Sequence, residues 1–197
     1  MTSTLNTRDQ ILDCAQGLIQ MRGYNGFSFR DIASEVGVKS SSIHYYYPGK
    51  TDLAVAVATQ YRSVFKELTD QLVVSHKTAP SILEAYAGVF ETTLKQENRL
   101  CLCGMLASEI NSVEPDLRLV ISAFFKDQHE VLSDIISKGQ SKGEFISELD
   151  ATRFAKTYLA TLEGAMMLAR VNKRPSDIRL AAKQLIALIT DISGIAL

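Results

Sequence analysis

The chain has 197 residues, 46% of them hydrophobic, a formal net charge of −1 at pH 7 and three cysteines. That is enough apolar material for a small N-terminal module and one larger helical domain. It excludes a protein that is basic throughout and a disulfide framework, and no apolar run is long enough to cross a bilayer. Met1 to Thr7 lacks the basic and apolar regions of a secretory signal, so a cytoplasmic protein with free thiols and no membrane contact is expected.

Residues 8 to 22 read as a first helix with Ile11, Leu12, Ala15, Leu18 and Ile19 on its apolar face, and Gly23 ends it. Cys14 on this helix reads as a small, partly buried side chain. Tyr24 to Phe27 make a link. Ser28 is expected to cap the next helix, with Asp31 reaching back to its backbone N–H. Phe29, Ile32, Ala33 and Val36 then follow at the spacing of one buried face. Gly37 stops that helix, because glycine takes the left-handed conformation at little steric cost. Val38 plugs the turn. Lys39 or Ser40 caps a second short helix in which Ile43 and Tyr47 face inward while Ser41 and Tyr45 face away, and Pro48 and Gly49 end it.

Two helices of about two turns around a glycine turn predict a helix-turn-helix, whose second helix presents its leading half to base edges. Lys39, Ser40, Ser41, Ser42, His44, Tyr45, Tyr46 and Lys50 are nearly all hydrogen-bond donors, and double-stranded DNA is the partner they suit. Lys39, Ser41, His44 and Tyr45 are expected at base edges, and Ser28, Tyr46 and Lys50 at phosphates. Charge adds little. Through residue 50, five cations (Arg8, Arg22, Arg30, Lys39, Lys50) stand against four acids (Asp9, Asp13, Asp31, Glu35), a balance of +1.

From Thr51 a long helix carries Leu53, Ala56, Val57, Tyr61, Val64, Phe65, Leu68 and Leu72 as an apolar stripe. Ser75 to Pro80 reads as a loop, and Ser81 opens a helix with Ile82, Leu83, Tyr86, Val89, Phe90 and Leu94 on one face. A helix over about 99 to 110 follows, then one from Pro115 until Gly139. The last two, about 148 to 171 and Ser176 to Ile192, are apolar on more than one side. Gly164 falls in the middle of the first of them, a position better explained by close helix approach than by chance. No strand signal appears, so the expected fold is all-α.

The first helix, the stretch RGYNGFSFRDIASEVGV and the stretch SSIHYYYPGKTDL together resemble the TetR/AcrR family of one-component transcriptional regulators. The likeness is close over about the first 53 residues and holds beyond them only in length and helical pattern. Three features depart from the family pattern: the recognition helix opens on Lys39-Ser40, His44 stands where a tyrosine commonly follows the central aliphatic, and Tyr47 replaces the usual phenylalanine. They leave the fold alone and alter the operator expected.

The resemblance implies an N-terminal three-helix helix-turn-helix domain over 1–49 and a helical ligand-binding and dimerisation domain over 50–197. It implies a homodimeric repressor released from a palindromic operator by a small-molecule effector or by thiol modification, and no cofactor. Residues expected to line a ligand cavity are Tyr61, Phe65, Tyr86, Phe90, Cys101, Met105, Phe125, His129 and Tyr158. The dimer interface is expected on the last two helices, through Tyr158, Leu162, Gly164, Met166, Ala169, Ile178, Ala182, Leu185 and Ile189.

Cys101 and Cys103 admit two readings, a thiol sensor near Arg99 or two small buried hydrophobes. Some family members that sense electrophiles carry Cys-Leu ahead of Leu-x-x-Glu, as Cys101-Leu102 and Leu106 to Glu109 do here. Two other functions compete with the regulator. One is a helical interaction module without a DNA target. The other is an enzyme with Cys101 or Cys103 as nucleophile and His129 as base, which lacks an evident oxyanion site.

Overall fold

The computed structural model describes residues 6–190. Among them the chain is all-α, and the one exception is an isolated antiparallel bridge between Phe145 and Thr190. Helices α1 (Thr7–Arg22), α2 (Phe29–Val36) and α3 (Ser40–Tyr46) come first. Then follow α4 (Lys50–Ser75), α5 (Ala79–Lys95), α6 (Leu102–Ser108), a 3-10 turn at Ile110–Ser112, α7 (Pro115–Ser141), α8 (Ala151–Asn172) and α9 (Ser176–Ile189). The expected end of the last helix at Ile192 lies outside the described residues.

The boundaries follow local chemistry. Asn6 caps α1 through a hydrogen bond from the Asp9 amide, and Ser28 and Asp31 form the expected reciprocal box at the start of α2. Gly37 closes α2 in the left-handed conformation at φ 76°. Helix α5 starts earlier than expected: Thr78 caps it in a second reciprocal box with Ser81, and Pro80 sits in the first turn, where its missing N–H costs nothing. Helix α6 starts at Leu102, later than expected, because Cys101 before it has a non-helical ψ of 127°. Gly139 does not end α7 but lies within it, close against Phe145 and Ala79.

By compactness the chain falls into two units, residues 1–64 with 99–124, and residues 65–98 with 125–197. The first unit therefore takes in residues 50–64 and 99–124 beyond the first 49. Helices α4 and α7 pass from one unit into the other. In the first, α1 packs on α2 and α6 over a core of Ile11, Leu18, Ile19, Ile32, Ile43 and Leu53, all essentially inaccessible. In the second, α9 packs on α5 and α8, burying Leu83, Tyr86, Tyr158, Leu162, Ile178 and Ala182.

Candidate nucleic-acid interface

The hairpin of α2 and α3 is held from beneath by Ile32, Ile43 and Tyr47, whose side chains are buried. With that face committed to the core, Lys39, Ser41, His44, Tyr45 and Tyr46 are exposed, while Ser40 and Ser42 are half-buried. Tyr45 is 83% accessible although it is a large aromatic. Its ring meets that of Tyr46 edge-on at 5.2 Å between centroids. The pair forms a platform with two phenolic hydroxyls at its rim.

His44 lies 4.8 Å from the Phe29 ring, and its Nδ1 is 3.3 Å from the Pro48 carbonyl. A carbonyl only accepts, so Nδ1 carries the proton in this contact, and a neutral ring keeps Nε2 as an acceptor. Ser28 is exposed, but its hydroxyl is engaged with Asp31 at 2.6 Å. These hydrogen bonds hold the Asp31 carboxyl below its ordinary value.

Lys50 is turned inward from the phosphate position expected for it. Its Nζ donates to the Phe27 carbonyl at 2.6 Å and lies 4.3 Å and 4.9 Å from the ring centroids of Phe27 and Tyr24. Burial lowers its pKa, with Glu109 and Asp31 opposing. The ammonium is thus a fastener of the connection between α1 and α2.

The candidate ligand residues divide between the units: Tyr61, Cys101 and Met105 in the first, Phe65, Tyr86, Phe90, Phe125, His129 and Tyr158 in the second. In the first, the Tyr61 hydroxyl donates to Cys101 Sγ at 3.8 Å, and its ring is 5.6 Å from that of Phe124. In the second, Phe65, Tyr86 and Phe90 form a cluster with centroids 5.7 to 6.3 Å apart. The Tyr86 hydroxyl donates to Gln128 Oε1 at 3.0 Å, and that of Tyr158 to the Leu83 carbonyl at 2.8 Å. Burial pushes the Tyr158 hydroxyl pKa upward, and burial with Lys156 nearby lowers that of His129.

Two clefts stand out among the described residues, and neither is lined by those nine candidates. One of about 650 Å³ in the second unit is bordered by Leu68, His76, Glu84 and Arg179. The other, about 530 Å³ in the first unit, is bordered by Cys14, Asp13, Glu35 and Arg99. Burial, with Glu35 beside it, pushes the Cys14 thiol up to about 12, so it is protonated at neutral pH.

The residues expected at a dimer interface are mostly on the wrong side of their helices. Tyr158, Leu162, Met166, Ala169, Ile178, Ala182 and Ile189 are all buried within the chain's own second unit, and Leu185 is half-buried. Only Gly164 is exposed, and a Cβ there would meet open space, so no close helix approach within the chain explains it. The outward apolar residues are Met167, Leu168 and Val171 on α8 with Leu180 and Leu188 on α9. Helices apolar on two sides leave the inward face undetermined by periodicity, and packing against α5 selects it.

Residues 11–57 match the family model described as bacterial regulatory proteins, tetR family, and residues 81–185 match the tetracyclin repressor-like C-terminal domain. A solved TetR-family regulator from Agrobacterium tumefaciens is 30% identical, with a TM-score of 0.90 over 94% of this chain and 98% of that one. An uncharacterized HTH-type transcriptional regulator of Bacillus subtilis, YxaF, is 26% identical over 96% of this chain and 98% of its own. FadR of Bacillus subtilis, solved in complex with stearoyl-CoA, shares the fold at a TM-score of 0.74 and 22% identity, over 95% and 99% of the two chains. Profile, sequence and fold agree across both halves of the chain: it belongs to the TetR family of DNA-binding transcriptional regulators and is not an enzyme.

Proposed function

We propose that this regulator acts as a homodimeric repressor, released from a palindromic operator when a small molecule binds its C-terminal domain. The observation that carries the reading is the contrast between two exposed faces, one a donor-rich recognition helix and the other an apolar strip on α8 and α9. Lys39, Ser40, Ser41, Ser42, His44 and Tyr45 are assigned to the major groove and Tyr46 to the backbone, with Ser28 and Lys50 supporting the hairpin. A second copy is assigned to Leu168, Val171, Leu180 and Leu188, with Gly164 permitting close approach. Two recognition helices about 34 to 36 Å apart, or a multiple of that, then read half-sites on one side of the duplex.

The functional division is drawn at residue 49, with α4 as the connecting element because its 26 residues run without a break. An effector that favours a conformation mismatched to the half-sites by about 1 to 3 kcal/mol lowers operator affinity about 5 to 150 fold. Phe65, Tyr86, Phe90, Phe125, His129 and Tyr158 are the aromatic and polar contacts assigned to it in the second unit. That a relative of the same fold was solved with stearoyl-CoA supports an organic effector.

A second release route rests on Cys101, whose Sγ accepts from the Tyr61 hydroxyl at 3.8 Å. Both Cys101 and Cys103 are buried, so modification by this route needs local opening. Met105, half-buried on α6, lies beside this pair in sequence.

Selection of genomic fragments with the purified protein, followed by mobility-shift titration with and without an electrophile, tests the whole reading. Enrichment of a palindromic site supports it, and loss of the shift on thiol modification promotes the Cys101 route. If no fragment is enriched, the interaction-module alternative replaces it.

A further inference from the structure

The connection between α1 and α2 is six residues long and is fixed from two directions by side chains distant in sequence. On one side Lys50 holds the Phe27 carbonyl. On the other stands Glu109, the residue that ends α6. Its Oε2 accepts from the Asn25 backbone N–H at 2.9 Å and from Asn25 Nδ2 at 2.6 Å. Asn25 Nδ2 also donates to Ser112 Oγ at 2.9 Å, and Ser112 donates in turn to the Glu109 carbonyl. The other carboxylate oxygen occupies the space that a Cβ on Gly23 would need. Gly23 has φ 80° and ψ 176°, a combination open only to glycine, so the chain here is shaped to admit the carboxylate.

We propose that Glu109 is a positioning residue for DNA recognition, whose carboxylate latches the Gly23–Phe27 connection and so fixes the pose of the helix-turn-helix. An ionised carboxylate accepting two N–H groups of one residue makes short charge-assisted bonds, stronger than neutral ones. The latched residue, Asn25, lies three positions before Ser28, the N-cap from which α2 and then α3 proceed, so freedom at Asn25 propagates to the recognition helix. Finally, Glu109 and Asp31 are the acids that support the Lys50 charge against burial, so the two fasteners reinforce each other.

Charge and position act in opposite directions, which makes the proposal testable. An acid close to a DNA-binding module repels phosphate, and its removal by charge alone strengthens binding. The latch demands the reverse. Against the fragment selected with the wild-type protein, Glu109→Ala is expected to lose roughly tenfold in affinity, the worth of one charge-assisted hydrogen bond. Binding to random-sequence DNA stays equal or rises, so the specificity ratio falls. Glu109→Gln keeps an acceptor oxygen and should recover part of the loss. Asn25→Ala should show a similar loss, and the double variant should show little more than either single one, as for two ends of one contact.

Hydrogen exchange at the Asn25 amide of the free protein supplies an arm that needs neither DNA nor a fully stable alanine variant. Faster exchange in Glu109→Gln, with the α1 and α4 amides unchanged, supports the latch. Unchanged exchange at Asn25, or operator affinity in Glu109→Ala at or above that of the wild type, overturns it. A wild-type protein that selects no DNA sinks the DNA reading and leaves the exchange result to judge the latch.

Discussion

Two exposed surfaces of this regulator are built to opposite rules. On α3 and its cap, the exposed side chains are Lys39, Ser41, His44, Tyr45 and Tyr46, and each ends in a polar atom. On the outer sides of α8 and α9 the exposed large apolar side chains are Met167, Leu168, Val171, Leu180 and Leu188, set among exposed polar ones such as Lys156, Lys183 and Gln184. Water satisfies the first set, whereas the second set leaves apolar surface in contact with water at a continuing cost. The difference separates three consequences of substitution. Changes on the polar face should move affinity, changes on the apolar face should move assembly, and changes one turn inward should move stability.

The largest effect is expected on the apolar face. Leu168 is 67% accessible and Leu188 73%, and each fully buried leucine contributes about 1.5 to 3 kcal/mol. In a two-fold dimer the pair counts twice, so Leu168→Asp with Leu188→Asp removes roughly 6 to 12 kcal/mol of association. Sedimentation should show a helical monomer, and operator binding should collapse with it. A dimer that survives both changes would place the interface elsewhere.

Leu162 lies on the same helix as Leu168 and is wholly buried. Leu162→Ala should therefore cost about 2 to 5 kcal/mol of folding stability, read as a lower urea midpoint, with no change in self-association of the folded protein. If it weakened the dimer without touching the midpoint, inner and outer faces would have been assigned the wrong way round.

Tyr45 tests the polar face. At 83% exposure its replacement by alanine should leave stability within about 0.5 kcal/mol. Operator affinity should fall by up to about tenfold, as for one lost hydrogen bond and its aromatic contact. Equal affinity in a mobility-shift titration would remove Tyr45 from the interface.

The second unit also contains an acid-sensitive fastener. Glu91 on α5 is paired with Arg179 on α9, and Lys95 donates to it at 2.6 Å. The Lys95 hydrogen bond holds its carboxyl below the ordinary value of 4.5, burial opposes, and Arg179 adds to the lowering. A carboxyl depressed by folding contributes its stability in full above its unfolded pKa and loses it as pH falls through the folded one. Stability measured from pH 6 downward should therefore decline below about 4.5, and Glu91→Gln should flatten that decline. An unchanged acid limb would assign it to other carboxyls.

The polar hairpin was legible in the sequence because its signals are local. Ser28 and Asp31 announce the cap, Gly37 the turn, and Ile43 with Tyr47 the inward face, and every one of these lies within a few residues of what it controls. The outer face of α8 was not legible, because Leu162 and Leu168 are equally apolar and only packing against α5 decides which is covered. The inward turn of Lys50 and the latch at Asn25 were missed for another reason. Glu109 is 84 residues from Asn25, and no spacing rule joins them. The one trace was Gly23, read as a helix stop, whose backbone geometry serves the carboxylate as well.

Within the hairpin itself, Tyr47 sets a buried polar atom on an apolar floor. It is 4% exposed, its ring belongs to the buried floor, and its hydroxyl is buried without a hydrogen-bond partner among the described residues. A hydroxyl that gives up water and gains no partner costs free energy, while the ring beneath it packs as phenylalanine would. Tyr47→Phe should therefore stabilise the protein by about 1 kcal/mol, seen as a higher urea midpoint, and leave operator affinity unchanged. Stability gained at the expense of operator affinity would mean that the hydroxyl is kept for DNA, and the buried floor would then have to be counted with the polar face.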